Sequence, residues 1–115
     1  MKQRIDLHTL LSQATDNKQK IASFTLLALG VISLLADGVI TASSAVELFF
    51  YADNCLFVRK QIRQKVADEI MSHGVQLPDI FKMLPAEQAQ QEFQRELIAM
   101  RFLCLKLLEG ETLAA

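Results

Sequence analysis

Between Ile21 and Ala52 the chain carries only two charged side chains, Asp37 and Glu47. A run this apolar must be covered by a bundle core, by another subunit or by lipid, and the choice among the three sets the class of protein. Elsewhere the 115-residue chain is charged in the ordinary way, with a formal net charge of −1. That length fits a single domain, 1–115, which on folding buries about two-thirds of the unfolded surface. Near-neutrality leaves no global field to draw the protein to nucleic acid or to an anionic membrane.

Lipid is the poorer cover. The apolar run begins only after Asp6, Asp16 and several polar residues, the wrong shape for a secretory leader. Ile21–Ala36, sixteen residues, spans about 24 Å as a helix, short of a roughly 30 Å hydrocarbon core. Ser23, Thr25, Gly30 and Ser33 dilute it, and a membrane hairpin would place Glu47 inside its second arm. A cytoplasmic, soluble protein is expected, with a membrane-associated helical protein as an alternative.

The chain divides at its punctuation. Ile5, Leu7, Leu10 and Leu11 suggest a short amphipathic segment, and Asp16 or Asn17 can cap a helix from about Asn17 to Ala36. The apolar residues of that helix nearly encircle its axis, which marks a central position. Asp37-Gly38 is the clearest stop. Ser44 with Glu47 fits a capping box, with Thr41 or Ser43 as other possible caps. A long helix is then expected from about Ala42 to His73, antiparallel to the preceding one. Gly74 should cap it, a short turn should carry Ile80, Phe81, Met83 and Leu84, and Pro85 should open a last helix closed by Gly110. Ala86, Ala89, Phe93, Leu97, Met100, Cys104 and Leu107 give that helix a heptad-like seam. No alternating strand pattern of useful length is present. The expected fold is all-α, a compact bundle of four to five helices with a central antiparallel hairpin and one long helix.

Chemistry is sparsely signposted. His8 and His73 are far apart, and Glu69 one turn before His73 reads first as a surface ion pair, so no metal site is expected. Cys55 and Cys104 both lie among apolar residues and read as buried reduced thiols, with a disulfide or redox pair as the other option. The phrase Asp37-Gly38-Val39-Ile40-Thr41 looks like the middle of a calcium loop, but Ser33, Leu35 and Ser44 would fall where charged oxygen ligands are needed. Ala36-Asp37-Gly38-Val39-Ile40, with Glu47 later, also resembles an inter-helix turn of TerB-like helical proteins. That likeness covers one turn and implies no residue roles. No nucleophile elbow or phosphate-cradling glycine loop occurs. No catalytic residue and no cofactor are expected, and an enzyme with an unmarked pocket stays as an alternative.

What is plentiful is apolar helix surface. Four or five elements can cover one central helix, but hardly the middle of the long helix and the Phe102–Leu108 surface as well. The expected function is therefore a small non-catalytic protein–protein interaction module, an adaptor or regulatory subunit, forming a homodimer of C2 symmetry and binding a further, unidentified protein. Its binding surface is expected at Phe49, Phe50, Tyr51 and Phe57, with Arg59 and Arg63 at the rim, because aromatics and Arg carry most interface energy. The cluster Arg59, Lys60, Arg63 and Lys65 also allows a nucleic-acid-binding regulator, although Asp68 and Glu69 follow directly.

Overall fold

The computed structural model describes residues 3–113, with side chains through residue 110, and among these residues there are six α-helices and no strand. Local chemistry sets most boundaries. Asp6 caps α1 (Leu7–Leu11), accepting from the Thr9 N–H at 3.3 Å and the Thr9 hydroxyl at 2.9 Å. Those bonds, the hydroxyl foremost, hold the Asp6 carboxyl below its ordinary value. The cap is therefore lost as pH falls through that lowered pKa. Asp16 caps α2 (Asn17–Ala36), accepting from the Gln19 N–H at 2.7 Å. After α2, Gly38 takes φ +73°, the left-handed conformation that ends the helix. Thr41 caps α3 (Ala42–Leu48), accepting from the Ser44 N–H at 3.0 Å, so the cap falls on Thr41 and not on Ser44.

The long helix expected over 42–73 is instead three pieces. α3 stops at Phe49-Phe50-Tyr51, and α4 (Ala52–Phe57) runs into one π-helical turn, Val58–Ile62. That turn closes with the Arg63 N–H donating to the Val58 carbonyl at 2.9 Å, and Arg63 itself is left-handed at φ +57°. The physical reason lies in the three aromatics. Successive residues on a helix point about 100° apart, so a continuous helix would turn one ring outward. Breaking the chain there buries Phe49 and Phe50 together and lets the Tyr51 hydroxyl donate to the Ile5 carbonyl at 2.7 Å.

Two further boundaries move. Gly74 does not cap a helix; it lies buried within α5 (Lys65–Met83), which also contains the half-buried Pro78. Gly110 likewise falls inside α6 (Ala86–Leu113). At Gly74 the absence of a side chain serves packing: a methyl group there would overlap the Phe50 ring. Gly30 of α2 has open space at the same position. The two glycines therefore give opposite expectations. Gly30→Ala should raise stability by about 0.5–1 kcal/mol through helix propensity. Gly74→Ala should lower it by about 1–3 kcal/mol, because overpacking outweighs that gain. Urea denaturation of the two variants checks the sign of each.

α6 packs along both α2 and α5, α3 lies on α5, and α1 crosses α2 and α4. The short Leu84-Pro85 connection makes α5 and α6 an antiparallel hairpin, and this pair, more than α2 with α3, forms the central hairpin. Ile21, Phe24, Ala28, Val31, Ile32 and Leu35 of α2 meet Phe93, Leu97, Met100, Cys104 and Leu107 of α6 in one core. The seam read from the sequence of the last helix is thus the buried one, apart from Ala86, which is exposed. Phe24 stacks on Phe49 (centroids 6.0 Å), and Phe49 meets Phe50 edge-on at 5.1 Å.

Candidate interaction surface

The structure moves the aromatic surface expected from the sequence to the inside. Phe49, Phe50 and Phe57 are buried, and Tyr51 is half-buried beneath the Arg4 guanidinium, 4.4 Å from its ring centroid. Phe57 touches the His8 ring edge-on. These rings close the joint between the N-terminal segment, α4 and α5, and they offer no shared face. The two arginines do lie at the surface, but not as one row. Arg59 sits 3.7 Å from Asp68, while Arg63 leaves the helix in its left-handed turn. The basic cluster of Arg59, Lys60, Arg63 and Lys65 is therefore interrupted at Arg63, where the helix ends.

That joint is organised around a buried amide which sequence reasoning missed. The Asn54 side chain accepts from the Leu7 N–H at 3.1 Å and donates to the carbonyls of Ile5 (2.7 Å) and Phe49 (2.8 Å). The Ile5 N–H donates to the Leu48 carbonyl at 2.8 Å. An Asn inside an aromatic stretch would have been the only signal, since a buried polar side chain needs partners of this kind.

Two clefts open beside the α5–α6 hairpin. One, of about 440 Å³, lies between the α2–α3 turn and the ends of α5 and α6, and Leu35, Ile40, Pro78, Phe81 and Phe93 line it together with Gln90 and Gln94. No ionisable side chain reaches it. The other, of about 430 Å³, holds His73 hydrogen-bonded to Glu96, beside Asp79 and Glu92. No hydroxyl or thiol lines this second cleft, while a neighbouring cleft places His73 beside Ser72, Lys65, Asp68 and Glu69. Among the described residues no three His, Cys, Asp or Glu side chains could hold a metal ion together.

The thiols are equally quiet. Cys55 and Cys104 are both free. Burial pushes the Cys104 thiol up to about 12 and raises that of Cys55. Neither carries appreciable thiolate at neutral pH.

Exposed apolar side chains lie elsewhere, several of them on the outer side of α6 and one midway along α2, with others at Leu10, Val39 and the Phe81, Met83 and Leu84 stretch before α6. Ile98 is 69% exposed, Phe102 62%, Leu105 38% and Leu26 61%. On a helical wheel Ile98, Phe102 and Leu105 share the side of α6 opposite its buried seam. α2 and α6 run antiparallel, with Ala36, Gln90 and Gln94 at one cleft. Counting back by turns from there puts Leu26 about level with Phe102. Part of this surface, Phe102–Leu108, was legible as an excess of apolar residues; Ile98 and Leu26 were not singled out. Among the described residues α2 is also long and apolar enough, by length and composition alone, to cross a membrane. In the structure it is a core helix.

Comparison with known proteins adds no assignment: no family model matches the chain, and neither a curated protein nor a solved structure shows significant similarity to it.

Proposed function

We propose that the protein is a small non-catalytic interaction module, an adaptor or regulatory subunit of the cytoplasm, that works as a homodimer and presents a composite surface to a further protein. One observation carries this reading: Ile98 and Phe102, two large apolar side chains each more than half exposed, share with Leu105 the uncovered side of α6, and Leu26 on the neighbouring α2 is also more than half exposed. Apolar exposure concentrated in this way on a small soluble domain marks an interface.

Sedimentation equilibrium at micromolar concentration tests it. The wild-type chain should sediment as a dimer. Ile98→Glu/Phe102→Glu should keep its helical circular dichroism, because both side chains point to solvent, and should dimerise about a hundredfold more weakly or worse, as loss of two central apolar anchors implies. A wild-type protein that is monomeric throughout would overturn the proposal. Recovery of the wild type only in detergent extracts would instead favour the membrane reading, which the 20-residue length of α2 supports.

A further inference from the structure

Five residues of α6 that face away from the core are spaced alternately three and four apart: Arg95, Ile98, Phe102, Leu105 and Glu109. All five are exposed. This is the heptad rhythm by which helices pair. It is distinct from the seam that faces α2 and α5, so α6 carries two seams and the fold covers one of them. We propose, resting on the self-association argued above, that the outer seam pairs with the same seam of a second copy, and that the two helices run antiparallel.

Charge selects the partner and the direction. The middle of the seam is apolar, its N-terminal end carries Arg95, and its C-terminal end carries Glu109. In the antiparallel arrangement Ile98 of each copy packs beside Phe102 of the other, and each Arg95 comes within reach of the other copy's Glu109. Parallel pairing would set Arg95 against Arg95 and Glu109 against Glu109, like charges in facing layers. The bordering charges agree. Glu92 and Lys106 lie two heptads apart on one flank of the seam, and only the antiparallel arrangement brings them together across the pair. Arg101 occupies the other flank, toward α2.

Within one chain Arg95 bonds Glu92 at 3.2 Å, with the arginine side chain 74% exposed. A solvated pair of this kind is worth little and exchanges readily for the intermolecular partners. Leu26, level with Phe102, extends the apolar centre onto α2 and gives the contact a width that a single helix face would lack.

Charge reversal tests the direction independently of whether a dimer exists. Sedimentation equilibrium at low salt should show Arg95→Glu and Glu109→Arg each weakening dimerisation about tenfold, since each reversal sets two like-charge contacts in a symmetric dimer. The double variant Arg95→Glu/Glu109→Arg should recover wild-type affinity to within about twofold, because both contacts are restored with exchanged sign. A mixture of the two single variants should form heterodimers more tightly than either forms homodimers. A wild-type dimer whose affinity ignores both single reversals, or a double variant as weak as the singles, would overturn the antiparallel seam while leaving self-association standing. A wild-type chain that never dimerises would overturn both.

Discussion

Phe50→Glu combined with Phe57→Glu is expected to unfold the chain and not merely to abolish association. Both rings are buried, Phe50 fitted against Phe49 and the bare backbone of Gly74, Phe57 against His8. Removing a buried Phe costs about 3–5 kcal/mol. A carboxylate left in its place adds the cost of burying a charge or of protonating it. Two such sites together reach the whole of the roughly 5–15 kcal/mol that holds a domain folded. Far-UV circular dichroism should show a largely unfolded protein at neutral pH. A variant that kept its helices and lost only self-association would place the rings at a surface after all.

Asn54→Leu should lower stability by about 3 kcal/mol, although the replacement is apolar and similar in size. The loss comes from what Asn54 leaves behind: the Leu7 N–H and the Phe49 carbonyl lose a partner, and the Ile5 carbonyl keeps only the Tyr51 hydroxyl. Each buried group left unpaired costs about 1–3 kcal/mol. Tyr51→Phe should cost only about 1 kcal/mol, because Asn54 still satisfies the same carbonyl. Urea denaturation of both variants checks the order. Equal losses would mean that the amide hub contributes no more than a single hydrogen bond.

Where helix boundaries rest on local chemistry, the sequence was legible. Asp16, Asn17, Asp37 and Gly38 delimit α2 because capping oxygens and a left-handed glycine act within a few residues. The buried seam of α6 was equally readable, since period and core face coincide. Legibility ended where tertiary contacts override local preference. Gly74 resembles a cap but is a point of close approach for a ring 24 positions earlier, and nothing near Gly74 in the chain reports that ring. Leu48, Ala52, Cys55, Val58, Ile62, Val66 and Ile70 recur at helical spacing, yet three adjacent aromatics could be buried only by breaking that helix. Their richness also suggested an interface, because large rings occur both in cores and at contacts and composition alone does not distinguish the two. The outer seam of α6 was overshadowed by the inner one, and it stands out only once the covered side of the helix is known.

The clasp between the first residues and the α3–α4 corner also bears on how the chain is made. Ile5 and Leu7 leave the ribosome well before Leu48, Tyr51 and Asn54, their hydrogen-bond partners more than 40 residues later. At translation speeds of about 5–20 residues per second, that interval is on the order of 2–10 seconds. During it the amino-terminal strip lacks these hydrogen-bond partners, with only its packing on α2 available to it. Its capture becomes a late closing step, and α2, though synthesised early, stays open along that edge until the corner arrives.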